Sequence, residues 1–163
     1  EMRTYTWRHL ADLASRAAAA PRRRANLNLH RQPEDGIQRM FNCFQPGTYV
    51  RPHRHEPQRW ELFVVVRGRL GVLTFDTSAA VAAVAVLGPG GTVAVEIPGG
   101  ADHTVVALEP DTVVLEVKPG PFRPLTDKDF APWSPPEGDP DAASLVAAWS
   151  ALTSAAEEGG QEG

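Results

Sequence analysis

A chain of 163 residues can form one domain with a core of its own, and its 42% hydrophobic and 22% charged content is that of an ordinary globular protein. The formal net charge of −4 argues against a nucleic-acid binder, which needs a clustered basic surface. A single cysteine, Cys43, excludes an intrachain disulfide and fits a reducing compartment. The longest apolar run, Ala79 to Leu87, is too short to cross a bilayer, and the N-terminal segment has no apolar stretch like that of a signal peptide. The expectation is a soluble, cytoplasmic protein.

In chain order, Thr6 to Ala20 reads as a helix. Trp7, Leu10, Leu13, Ala14 and Ala17 recur at steps of three and four, and Pro21 ends the run. A basic hinge follows, and Asn26 to His30 alternates polar and apolar residues as a short strand does. Strands are then expected near Ile37–Gln45, Thr48–His53, Trp60–Val66, Arg69–Phe75, Val81–Leu87, Thr92–Ile97, His103–Leu108 and Thr112–Val117. Turn residues separate them, among them Pro46-Gly47, Arg67-Gly68, Gly88 to Gly91 and Pro98 to Gly100. Short strands at near-regular spacing without intervening helices indicate an antiparallel sandwich or barrel. After Pro119 the prolines prevent regular structure. A last helix is expected from Asp141 to about Ala156, with Leu145, Ala148, Trp149 and Leu152 on one face, and the end, Glu157 to Gly163, is expected to fray. The organisation is thus an N-terminal helix and arm (1–36), a barrel (37–120), and a proline-rich tail with a helix (121–163).

The chemistry concentrates around His53 and His55. In a regular strand, side chains two apart face the same way, so these imidazoles point to one face, with Tyr49 and Arg51 beside them. Glu61 opens the next strand, where an antiparallel return brings it beside the histidines. Two imidazoles and a carboxylate from adjacent strands form a borderline metal site. His103 follows a glycine-rich turn, and barrel closure could carry it back as a fourth ligand. Tyr49 could act as a proton donor, against the alternative of core packing with a satisfied hydroxyl. Arg51 could clamp a carboxylate or phosphate in the cavity, against a rim residue paired with an acid. Asn26, Asn28 and His30 share one face of the arm, so His30 could reach the substrate site if the arm crosses the barrel mouth. Glu116 and Lys118 share parity on a late strand and read as a surface or rim salt bridge, with catalysis as the alternative. Phe63, Val65 and Val105 are expected in the core or the cavity wall.

Gly47, five residues, His53-x-His55, five residues, Glu61, six residues and Gly68 resemble the first cupin motif; Gly91 through Pro98-x-Gly100-x-x-His103 resembles the second. The resemblance implies a double-stranded β-helix barrel, all-β apart from the flanking helices, in which His53, His55, Glu61 and His103 hold one divalent metal ion. The gaps between His55 and Glu61 and between Gly91 and Pro98 are each one residue longer than the commonest form, and Ala107 stands where asparagine often closes the second motif. Arg22 to His30, Ile37 to Arg39, Tyr49 to His55, Glu116 to Pro121 and Thr126 to Trp133 further resemble WbuC-type cupin metalloproteins. Such proteins are often encoded among bacterial surface-polysaccharide genes, which implies a sugar or nucleotide-sugar as substrate.

The expected function is therefore a metal-dependent enzyme acting on a small polar molecule by isomerisation, hydrolysis or elimination. Zinc, iron, nickel and manganese all suit the ligand set. Tyr49, Arg51 and His30 are the candidate catalytic residues. The alternatives are a ferrous-iron dioxygenase and a non-catalytic module that binds metal or sugar. Cupins often dimerise by exchanging edge strands or arms, so a homodimer is expected, with neither nucleic acid nor membrane as partner.

Overall fold

A computed structural model describes residues 1–160. Helix α1 (Trp7–Ala19) and strand β1 (Arg24–Asn28) precede the barrel strands β2 (Ile37–Phe44), β3 (Glu61–Arg67), β4 (Leu70–Phe75), β5 (Val81–Leu87), β6 (Ala94–Ile97), β7 (Asp102–Ala107) and β8 (Thr112–Pro119), and helix α2 (Pro140–Gly160) follows the tail. Two antiparallel sheets face each other, one in the order β1-β2-β8-β3-β6, the other β5-β4-β7. This is the expected double-stranded β-helix with a helix at either end.

The period-2 alternation of the strands decides what each sheet faces. On β8, Val114 joins the cluster between the sheets, where Phe44, Phe63, Leu70, Val72, Leu87 and Val105 meet. Its neighbour Val113 turns outward and joins Cys43 beneath Leu10, Leu13, Ala14 and Ala17 of α1. On β4, Val72 faces inward while Leu73 turns out towards Ala142, Val146 and Trp149 of α2. Each sheet therefore carries one helix on its outer face, and the inner faces remain free to enclose a site.

α1 forms because its apolar residues make one stripe. Its end follows from the extended backbone of Ala20 before Pro21, a position where helical geometry is disfavoured. Trp7, expected on the stripe, is instead 67% exposed. Tyr5 packs at this end, edge-on to Phe41 with ring centroids 6.0 Å apart.

Three expectations are corrected. Thr48–His53 is not a strand; His53 makes only isolated bridges, to His103 and to Phe130. Pro52 has no N–H for a ladder, and the segment is paired piecemeal: its backbone meets β7 at His103 and the tail at Asp129 and Ala131. The proline-rich tail is thus built into the barrel wall. The buried face of α2 is Ala142, Val146, Trp149 and Thr153, whereas Leu152 is 42% exposed. Gly71 of β4 explains the register: a Cβ there would run into Thr153 and Val106, so the bare backbone lets α2 approach. Finally, α2 continues to Gly160, past the expected fraying point at Glu157, while residues 161–163 lie outside the described residues. No helix among the described residues is long and apolar enough to cross a membrane.

Candidate metal centre

His53, His55, Glu61 and His103 each offer a ligand atom, and these atoms all lie within 4.8 Å of one another. Three local structures bring them together. Glu61 is the first residue of β3 and His103 the second of β7. His53 is fixed against β7 by a reciprocal backbone pair, His53 N to His103 O at 3.2 Å and His103 N to His53 O at 2.9 Å. The turn before β7 is tied to the histidine segment by the Gly100 N–H, which donates to His55 O at 2.9 Å. At Gly99 a Cβ would collide with the carbonyl oxygens of Glu56 and Pro57, so only glycine allows this approach.

The polar atoms at the centre point at a common space rather than at each other. His55 Nε2 lies 3.0 Å from Glu61 Oε1, and His103 Nε2 lies 2.7 Å from Glu61 Oε2. Even so, His55 Nε2 and Glu61 Oε2 are buried without a hydrogen-bond partner, because neither contact has hydrogen-bond geometry. The Nδ1 atoms of His53 and His103 sit 2.9 Å from the carbonyls of Arg51 and Ala101. Those carbonyls only accept, so each Nδ1 carries a proton, which leaves Nε2 of each ring as the atom that would bind a metal once it is deprotonated. Metal–ligand distances of about 2.0–2.2 Å are compatible with donor atoms this close together. The donor set fits a divalent metal.

Charges in this buried space are strongly biased. Burial pushes Glu61 up, but His103 and His55 outweigh it and hold its carboxyl well below the usual range. Burial also opposes charge on His103, yet Glu61 beside it leaves that histidine above its ordinary value. For His53, burial and then the charge of His103 push the imidazole down to about 3. Next to Glu61, burial drives Glu116 up to about 7, with Lys118 opposing the shift.

These shifts dictate a pH profile for the metal-free protein. Below the ordinary carboxylate value of 4.5, the unfolded chain takes up protons that folded Glu61 and His53 refuse, so stability falls with pH. Above the ordinary imidazole value of 6.5, folded His103 and Glu116 release protons that the unfolded chain has already lost, so stability falls as pH rises. Between the two, the contributions of His53 and Glu116 offset each other. Chemical denaturation of metal-free protein across pH is expected to show a plateau from about 4.5 to 6.5 with declines on both sides. A stability that rises steadily to pH 8 would contradict these charge states.

The four residues stand at a cavity of about 900 Å³ between the sheets. Met40, Phe63 and Phe130 give it apolar walls, and the arm contributes Asn26, Asn28 and His30. His30 therefore reaches the cavity, its Nδ1 engaged with the backbone of Arg39. Val105 lines the cavity with Phe63, and Val65 packs on the inner cluster.

Tyr49 and Arg51 do not line it. The Tyr49 hydroxyl donates to Pro135 O at 2.7 Å, and its ring stacks on Trp149 in the core beneath α2. Arg51 donates from Nε to Ser134 Oγ and from Nη2 to Ser134 O, each at 3.0 Å, and lies over the Phe130 ring at 4.6 Å. Their shared parity with the histidines presumed a regular strand, and that strand does not form. Arg51 instead braces Phe130, which is part of the cavity wall.

Glu116 and Lys118 form an ion pair at 3.0 Å, as the sequence suggests, but they line the cavity rather than the outer surface. Lys118 Nζ also lies 3.7 Å from Glu61 Oε1, and Asn42 donates to Glu116. Gln38 and Asn42, on the same inner face, were not singled out by sequence; the one signal was their period-2 spacing on β2.

The two facing antiparallel sheets have the cupin fold, and the three-histidine, one-glutamate cluster at the cavity could hold a metal ion. Over residues 6–87 the chain matches DUF6016, a domain family of unknown function, and it belongs to that family. Among solved structures, it is similar to the capsular polysaccharide assembling protein CapF from Staphylococcus aureus, with a TM-score of 0.51 and 22% identity over 61% of this chain and 27% of that one. It is similar to TT1209 from Thermus thermophilus, with a TM-score of 0.50 and 20% identity over 72% of this chain and 97% of that one. KdgF from Halomonas sp. aligns at 25% identity and a TM-score of 0.48, covering 61% of this chain and 82% of that one. The chain thus spans about a quarter of CapF, and these likenesses concern the fold. No curated protein matches the sequence.

Proposed function

We propose that this protein is a metal-dependent cupin enzyme acting on a small polar molecule, with a sugar or nucleotide-sugar of surface-polysaccharide synthesis as its substrate class. The observation that carries the reading is the convergence of four donor atoms, two of them buried and unpartnered, on one point at the inner end of a large cavity. Resemblance to WbuC-type cupins supports the substrate class. His53, His55, Glu61 and His103 would hold the ion. When bound, a divalent metal supplies Lewis-acid polarisation of a carbonyl or hydroxyl and a lower pKa for bound water, which suits isomerisation, hydrolysis or elimination.

The chain's own groups supply the rest. The carbonyls of Arg51 and Ala101 fix the tautomers of His53 and His103. Met40, Phe63 and Phe130 give the cavity apolar walls, and burial strengthens the electrostatic contacts of the cluster. His30, which lines the cavity from the arm, is the candidate acid or base.

The test is a proton-NMR screen of nucleotide-sugars and free sugars with metal-loaded protein beside His53→Ala. Conversion by the wild type alone supports the reading. Substrate-dependent oxygen uptake by iron-loaded protein would replace it with an oxygenase, and ligand-induced stabilisation without any turnover would replace it with a binding module.

A further inference from the structure

The inner face of the five-stranded sheet carries a polar row that leads away from the metal centre. Register sets it out: Gln38 of β2 pairs with Lys118 of β8, and Lys118 lies across from Glu61 of β3. Within this row, Gln38 is unusual. It is 1% exposed, and its Nε2 donates to Pro33 O at 3.2 Å and to Asp35 O at 2.9 Å. Two carbonyl acceptors settle which end of the amide is nitrogen. Its Oε1 is then a buried acceptor without a donor, on a residue that lines the cavity. Leaving a buried acceptor unmet is unfavourable, and such a group stands ready for a ligand that brings a proton.

Beside it, Lys118 has the opposite valence. Its ammonium has three N–H groups; Glu116 lies within hydrogen-bond distance at 3.0 Å, while Glu61, at 3.7 Å, is an ionic neighbour only. Glu116 takes Lys118 on one oxygen and Asn42 on the other. The row thus offers an unpartnered acceptor and a donor with N–H groups to spare on directly paired residues, whose side chains stand about 5 Å apart at Cβ. A hydroxyl group, which donates one hydrogen bond and accepts another, matches this pair. A carboxylate, which only accepts, would leave Gln38 unmet, and an alkyl group would leave both.

We propose that Gln38 and Lys118 form a hydroxyl-reading subsite beside the metal centre, which selects a substrate bearing a hydroxyl near the oxygen that the metal takes. Gln38 Oε1 accepts from that hydroxyl and Lys118 Nζ donates to it, while Glu116 and Asn42 hold the ammonium in place. This rests on the metal-dependent reading above and narrows its substrate to a polyhydroxylated molecule.

The experiment is isothermal titration of zinc-loaded protein with two probes, D-gluconate and hexanoate, each with a carboxylate for the metal and a six-carbon chain, but only one with hydroxyls. Wild type is expected to prefer gluconate by about tenfold or more, since a site built to bond a hydroxyl rejects a ligand lacking it. Gln38→Met, close in size but without the acceptor, should bring the two affinities to within about threefold at unchanged zinc content. Because Gln38 also ties the Pro33–Asp35 loop, Lys118→Met is run beside it, with melting temperature and zinc content measured for both. A gluconate preference that survives in either folded, zinc-loaded variant overturns the inference. Equal affinities in zinc-loaded wild type overturn it too and leave the metal centre standing, whereas a wild type that takes up no zinc removes the reading beneath it.

Discussion

Glu61→Gln is expected to weaken divalent-metal binding by about 100-fold or more and to destabilise the metal-free protein by about 3 kcal/mol at pH 6. Glu61 is 3% exposed and, among the described residues, is the carboxylate that contacts both His55 and His103 at the centre of the cluster. Glutamine keeps the shape but removes the charge. A protonated His103 then loses its buried counter-charge, and Lys118 keeps only Glu116. Breaking a buried pair from one side strands the other, which is why the expected cost exceeds that of a surface ion pair. Calorimetric metal titration and urea denaturation of chelator-treated protein measure the two effects. A variant that binds metal as tightly as wild type would show that Glu61 is not a ligand.

Gly99→Ala should be nearly as damaging, although it alters no functional group. The added Cβ would occupy the place of the Glu56 and Pro57 carbonyl oxygens, and backbone atoms in a pinned loop cannot yield as a side-chain tip can. That loop joins His55 to Glu61, and the turn holding Gly99 leads into His103, so relief of the clash must separate ligands on its two sides. The expectation is a loss of about 3 kcal/mol, at the upper end for overpacking, together with reduced metal affinity. Gly90→Ala is the control: its surroundings are open, but its φ of +80° also disfavours a side chain, so it reports backbone strain without the collision. Equal effects from the two substitutions would show that close approach at Gly99 is not what assembles the cluster.

Much of the fold was legible because its signals are local. The stripe of Leu10, Leu13, Ala14 and Ala17 marks α1, and turn residues punctuate strands whose ends differ from expectation by one or two residues at most positions. The cluster of His53, His55, Glu61 and His103 was legible for another reason: the spacing matches a known family motif, and the structure does bring these side chains together. What failed was inference by parity where no strand exists. Tyr49 and Arg51 were assigned a direction from His53, but Pro52 interrupts the ladder and the tail, far away in sequence, supplies the missing backbone partners at Asp129 and Ala131. α2 was misfaced because it is apolar nearly all round, so its burial is decided by the gap over Gly71 rather than by its own period. Glu116 and Lys118 illustrate the remaining limit. Spacing put them on one face of β8 but could not tell whether that face met the solvent or the cavity.

Elemental analysis of protein purified without nickel resin or chelator, wild type beside His53→Ala, tests the central claim most directly. Near-stoichiometric divalent metal in the wild type and its loss from a folded His53→Ala protein is the predicted result, and the identity of the metal then directs the choice between Lewis-acid and oxygen chemistry. A folded wild type that carries no metal and takes up none from zinc, manganese, nickel or ferrous iron would contradict it.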